Sequence, residues 1–167
     1  MAVPLPRAVR SAGLMLAVML AGCSSSGSSG SSPGPSGSPG GADATTTRTI
    51  TRAFHLFFDT NTALGKSVSV LQHGPTFRST LVKESKSPSA VDITAKVSAV
   101  NVVNNNVAKV TFTIYSGKTT LLPNNTGYAV REGGTWKVAA QTFCALLKLE
   151  GTAPAACDHK SITSLHG

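Results

Sequence analysis

"VDITAKVSAVNVVNNNVAKVTFTIYSG", residues 91–117, carries two runs of period-two alternation around a cluster of asparagines. Val91, Ile93, Ala95 and Val97 alternate with Asp92, Thr94, Lys96 and Ser98, the pattern of a strand with one face on a core and the other in water. Val100 and Val102 fall out of that phase, which places a bulge or bend near Ala99. The asparagines turn the chain, and Ala108, Val110, Phe112 and Ile114 then line one face of the returning strand. Downstream, "GYAVREGGTWKVAAQTF" (127–143) reads as two further strands joined at Gly133-Gly134, so that strand structure is expected to run from Val91 to Phe143. Trp136 shares parity with Val138 and Ala140 and reads as a core anchor.

Upstream of this sheet the period changes. In "TITRAFHLFFD" (49–59), Ile50, Ala53, Phe54 and Phe57 fall at i, i+3, i+4 and i+7, with Phe58 widening the apolar stripe of a helix. Leu64, Val68 and Leu71 repeat the pattern in a second helix, expected to start after Asn61 or Thr62 and to stop at Gly74. Pro75 opens a third short helix that buries Phe77 and Leu81. Helices first and an antiparallel sheet after them give an α+β fold, one domain over residues 48–167.

The pairing of "RAFHLFFDTNTALGKSVSVLQHGPTF" with "LPNNTGYAVREGGTWKVAAQTFCALLKLEG" resembles the C-terminal domain of the actinobacterial low-molecular-weight antigen family over about residues 48–157. The resemblance implies an exported domain of unassigned activity. It also implies a cone-shaped fold of the nuclear-transport-factor-two-like kind, in which a curved antiparallel sheet wraps around N-terminal helices. It supplies no catalytic motif.

The N-terminal region points to export. Arg7 and Arg10 form a positive segment, an apolar run follows to Leu20, and Leu20-Ala21-Gly22-Cys23 resembles the bacterial lipobox, so residues 1–22 read as a lipoprotein signal peptide. The apolar run is too short to cross a bilayer. Cys23 is then the lipidated residue, anchoring the protein to the outer face of the cell membrane through a diacylglycerol. Residues 24–42 contain nine Ser, six Gly, three Pro and one Ala and cannot bury enough surface to offset chain entropy. Residues 23–47 therefore read as a lipidated tether, with a typical reach of about 25–30 Å for a Gly/Ser chain of this length.

Charge narrows the classes of partner. The formal net charge is +8, and removal of Arg7 and Arg10 with the signal leaves +6. The remaining Lys and Arg are scattered, with no run of three and no aromatic interleaving, so nucleic acid is not an expected partner. Anionic envelope components or a merely solvated basic surface fit better.

Cys144 and Cys157 are the other two thiols, and in an exported protein they read as a disulfide. His159 and His166 lack the spacing of metal ligands, so neither a metal nor a cofactor is expected. His55 and Asp59 stand at i, i+4, yet the helical wheel puts both opposite Ile50 and Phe57, on the solvent face. His73 lies beside the expected helix end, where an imidazole meets exposed carbonyls. Asn124-Asn125-Thr126 reads as a turn beside Pro123 rather than a sugar acceptor. With no nucleophile elbow, phosphate loop or zinc signature, the chain reads as non-enzymatic.

Two functional readings stay open. The sheet offers many small or β-branched inward residues, among them Ala95, Val97, Ala108, Val110, Ala129 and Val138. Such a surface can leave a cavity against the helices carrying Phe54, Phe57 and Leu71, taking an apolar or lipid-like ligand with Tyr115 or Tyr128 orienting its polar end. Alternatively Phe112, Phe143, Leu146 and Trp136 pack the space shut and the protein is an accessory module without a ligand.

Overall fold

The structure is a computed structural model that describes residues 42–158. The signal segment, Cys23, most of the tether and the two C-terminal histidines lie outside these residues. Among the described residues no helix is long and apolar enough to cross a membrane.

Helix α1 (Ala44–Phe58) begins earlier than periodicity indicates, inside the stretch expected to be tether. Asp43 is the reason. Its Oδ1 accepts from the N–H groups of Thr45 and Thr46, each at 2.9 Å, satisfying two of the orphan donors of the first turn. The same hydrogen bonds, that from Thr46 foremost, hold the Asp43 carboxyl below its usual range. Ile50, Ala53, Phe54 and Phe57 are buried, as their spacing requires.

Helix α2 (Leu64–Ser69) is shorter than expected and has no side-chain cap. Its inward residue is Ser67 and not Val68, which is only half-buried. The chain leaves the helix at Val70 and runs beside the last strand, where Gln72 N–H donates to Val138 O at 2.9 Å and Val138 N–H to Val70 O at 2.8 Å. This short parallel pairing covers a sheet edge that would otherwise be open. His73 is left-handed, with φ 52°, and turns toward the sheet: its Nδ1 lies 3.1 Å from Glu132 Oε1 instead of meeting helix carbonyls. Partial burial opposes ionisation of Glu132, but the hydrogen bond and charge of Lys137, and then the N–H of His73, outweigh it and hold that carboxyl below its usual value. A 3-10 turn (Gly74–Phe77) opened by Pro75 leads into α3 (Arg78–Glu84), and Phe77 is fully buried.

Four antiparallel strands follow in sequential order: β1 (Ile93–Asn104), β2 (Val107–Ser116), β3 (Thr119–Glu132) and β4 (Thr135–Val138). The β1–β2 register slips between Val97 and Ala99, where the change of phase located the bulge. Val91 lies outside the strand and is 62% exposed. The segment Pro123-Asn124 does not turn the chain: it is an irregularity inside β3, with Asn124 left-handed and its N–H donating to Thr113 Oγ1 at 3.2 Å. The sheet also ends sooner than alternation implies. After Val138 the chain forms α4 (Ala140–Leu149), on which Ala140, Phe143, Cys144 and Leu147 are buried at i, i+3, i+4 and i+7.

The sheet curls around α1, which packs against both edge strands, β1 and β4. Such double contact requires a curved sheet, and the bulges supply the bend. All six phenylalanines join in one chain of ring contacts: Phe77–Phe143–Phe57–Phe58–Phe112–Phe54, with centroids 4.9–5.6 Å apart. Helix α4 is clamped to β3 by Thr142, whose Oγ1 accepts from Tyr128 N–H at 2.7 Å and donates to Tyr128 O at 3.2 Å. Cys144 and Cys157 form the expected disulfide, with Cα atoms 5.5 Å apart, and it ties a terminal 3-10 turn (Ala155–Asp158) to α4.

Candidate functional site

Of the two arrangements open for the space between the sheet and α1, a cavity or a packed interior, the structure has the packed one. Phe54, Leu71, Ala108, Val110, Ala129 and Val138 are all fully buried, and Phe112 stacks on Phe58 and meets Phe54 edge-on. The opening lies instead at one end of the sheet, a cleft of about 510 Å³ bounded by four helices and the ends of β1, β2 and β3. Natural ligand pockets span about 300–1,000 Å³.

Each wall has a local cause. The last turn of α1 presents Phe57 and Phe58, because the apolar stripe runs to the helix end. Leu64 and Ser67 come from α2 on one face, three residues apart. Ile114 and Leu122 contribute the sheet floor, and they are cross-strand partners at the irregular step of β2 and β3. Phe143, Leu146 and Leu147 close the side from α4. Leu121, 48% exposed, forms an apolar lip.

Polar groups sit at two depths. Ser67 is 8% exposed and lines the cleft, placing a hydroxyl in an otherwise apolar wall. At the rim stand Asp59, Glu84 and Glu150. Asp59 has partners, with His55 Nδ1 4.0 Å from its Oδ2 and Asn61 N–H donating to its Oδ1 at 2.8 Å. Glu84 and Glu150 take part in no ion pair among the described residues. Loss of solvent around Glu150, and then the like charge of Glu84, raise the Glu150 carboxyl above its ordinary value.

The residues singled out from sequence are distributed differently. Neither Tyr115 nor Tyr128 lines the cleft. Tyr115 stands half-buried where β2 pairs with Thr94 and Thr120, and Tyr128 packs on a separate small cluster of Val107, Val130 and Ala139. His55 is 59% exposed, so its contact with Asp59 is a surface one. Among the described residues no three His, Cys, Asp or Glu side chains come together in a group able to hold a metal. Ser67 escaped the sequence reading, although its place three residues after Leu64 and four before Leu71 put it on the buried face.

The low molecular weight antigen MTB12 C-terminal domain matches residues 43–154 of the chain, a span that starts at the Asp43 cap and ends between the two cysteines of the disulfide. The chain belongs to that family. No curated protein and no solved structure matches it.

Proposed function

We propose that this chain is an exported, lipid-anchored and non-catalytic module of the cell envelope that holds a small apolar molecule in the cleft at the end of its sheet. The observation that carries this reading is the lining. Twelve of the 21 described residues around the cleft are apolar, six are Ser or Thr, and three are acidic at the rim. That composition buries a hydrophobic body and leaves a few polar atoms to orient it. Catalysis finds less support. Among the described residues no hydrogen bond joins a Ser or Thr hydroxyl of the lining to Asp59, Glu84 or Glu150, and the His55–Asp59 pair lies on the surface with its imidazole 59% exposed. Anchorage rests on the sequence alone, on Leu20-Ala21-Gly22-Cys23 and the uncharged tract behind it.

The test is a fluorescence titration with N-phenyl-1-naphthylamine, a neutral apolar probe that brightens when it leaves water. Saturable binding is expected, with loss of at least tenfold in affinity for Leu122→Trp, which places an indole in the cleft while thermal unfolding confirms that the fold persists. Absence of saturable binding to the parent protein, or equal binding by a folded Leu122→Trp variant, overturns the reading.

A further inference from the structure

The chain has 15 Lys and Arg against seven Asp and Glu, yet among the described residues no Lys, Arg or His lines the cleft, while three of the seven acids do. Their positions share a feature. Asp59 is the C-cap of α1, Glu150 is the C-cap of α4, and Glu84 is the last residue of α3. Helix C-termini carry partial negative charge from unpaired carbonyls and are stabilised by cations, so an acid there is the locally unfavourable choice. The ends of three helices therefore bring carboxylates to one rim, above a floor made of Phe57, Phe58, Ile114 and Leu122. Ser67, itself 8% exposed, adds a hydroxyl in the wall below.

We infer that the ligand of this cleft is a cationic amphiphile: an apolar chain or ring system that fills the floor and ends in a positively charged nitrogen held between Glu84 and Glu150. The inference rests on the cleft being a binding site and specifies what it takes. The rim works against the charge of the molecule as a whole, which is positive. At physiological salt the Debye length is about 8 Å, so local carboxylates govern a head group at the mouth and the dispersed surface cations do not. The crowding that lifts the Glu150 carboxyl above its ordinary value is relieved when a positive group enters between it and Glu84. An anionic amphiphile of the same length meets the opposite field and finds no basic side chain among the described residues of the lining to receive its head.

Displacement of bound N-phenyl-1-naphthylamine by dodecylammonium and by dodecanoate, at pH 7.5 and below their micelle concentrations, tests this with one apolar body and two head groups. Dodecylammonium is expected to displace the probe at a concentration at least tenfold lower than dodecanoate. In Glu84→Gln/Glu150→Gln the difference, referred to that variant's own probe titration, should shrink to threefold or less, with thermal stability retained. Equal displacement by the two heads, a preference for dodecanoate, or a preference that survives the double substitution overturns the inference while leaving the cleft a binding site. Failure of the neutral probe to bind removes both.

Discussion

At Gly127 one hydrogen stands where any other residue would place a carbon. A Cβ there would come within 2.5 Å of Thr142 Cγ2 and 2.9 Å of Phe112 Cε1, because β3 meets the first turn of α4 at that point. Gly127→Ala should lower stability by about 1–3 kcal/mol, the usual cost of overpacking, read as a fall in thermal unfolding temperature. An unchanged unfolding temperature contradicts the close approach of α4 to the sheet. Nothing in the local sequence marked this contact, since the partners lie 15 residues apart in either direction and only the fold joins them. Ser67 was legible by spacing, but hydrophobicity drew attention to its neighbour Val68. The tyrosines show the reverse. Tyr115 follows the inward Ile114 and Tyr128 precedes the inward Ala129, so strand parity already placed both out of phase with the core face.

Among the elements, α4 was the hardest to read. Trp136, Val138 and Ala140 continue a period of two, while Ala140, Phe143, Cys144 and Leu147 satisfy a helical period, and the same alanine serves both patterns. Tertiary packing decides between them: Thr142 clamps the helix to Tyr128, and Gln72 Oε1 accepts from the N–H of Ala140 at 3.0 Å. By contrast the bulge at Ala99 and the glycine turn into β4 were plain, since each is a local event with a local signal. The disulfide acts at this scale, holding the last turn on a helix that forms one wall of the cleft. Replacing both cysteines by serine should cost roughly 2–4 kcal/mol and should leave the neutral probe bound with reduced affinity. Peptide mapping that finds two free thiols in the exported protein, or a double variant as stable as the parent, contradicts this account of the bridge.

Across the described residues the helices, the curled sheet and the family are established, and the α+β order was visible because the period changes from helical to two near residue 90. The cleft was not visible at its true place. Inward small residues left room for a cavity and the aromatic side chains for a closed interior; the six phenylalanines fill it, and the opening forms where helix ends and strand ends fail to meet. Such a gap depends on element lengths that composition does not report. The anchor belongs to this scale as well. Cys23→Ala should move the protein from the membrane fraction to the medium or leave an uncleaved precursor, since a diacyl group supplies the two chains that stable anchoring needs. A processed, membrane-held alanine variant would show that lipidation is not the anchor. The central claim, that the cleft is where a ligand sits, is tested most directly by mapping amide chemical-shift changes while the neutral probe is titrated. The account predicts shifts concentrated at Phe58, Ser67, Ile114, Leu122 and Leu147, with Tyr115, Tyr128 and the outer part of β1 unchanged. Shifts centred on the tyrosine-bearing surface, or spread evenly over the domain, would contradict it.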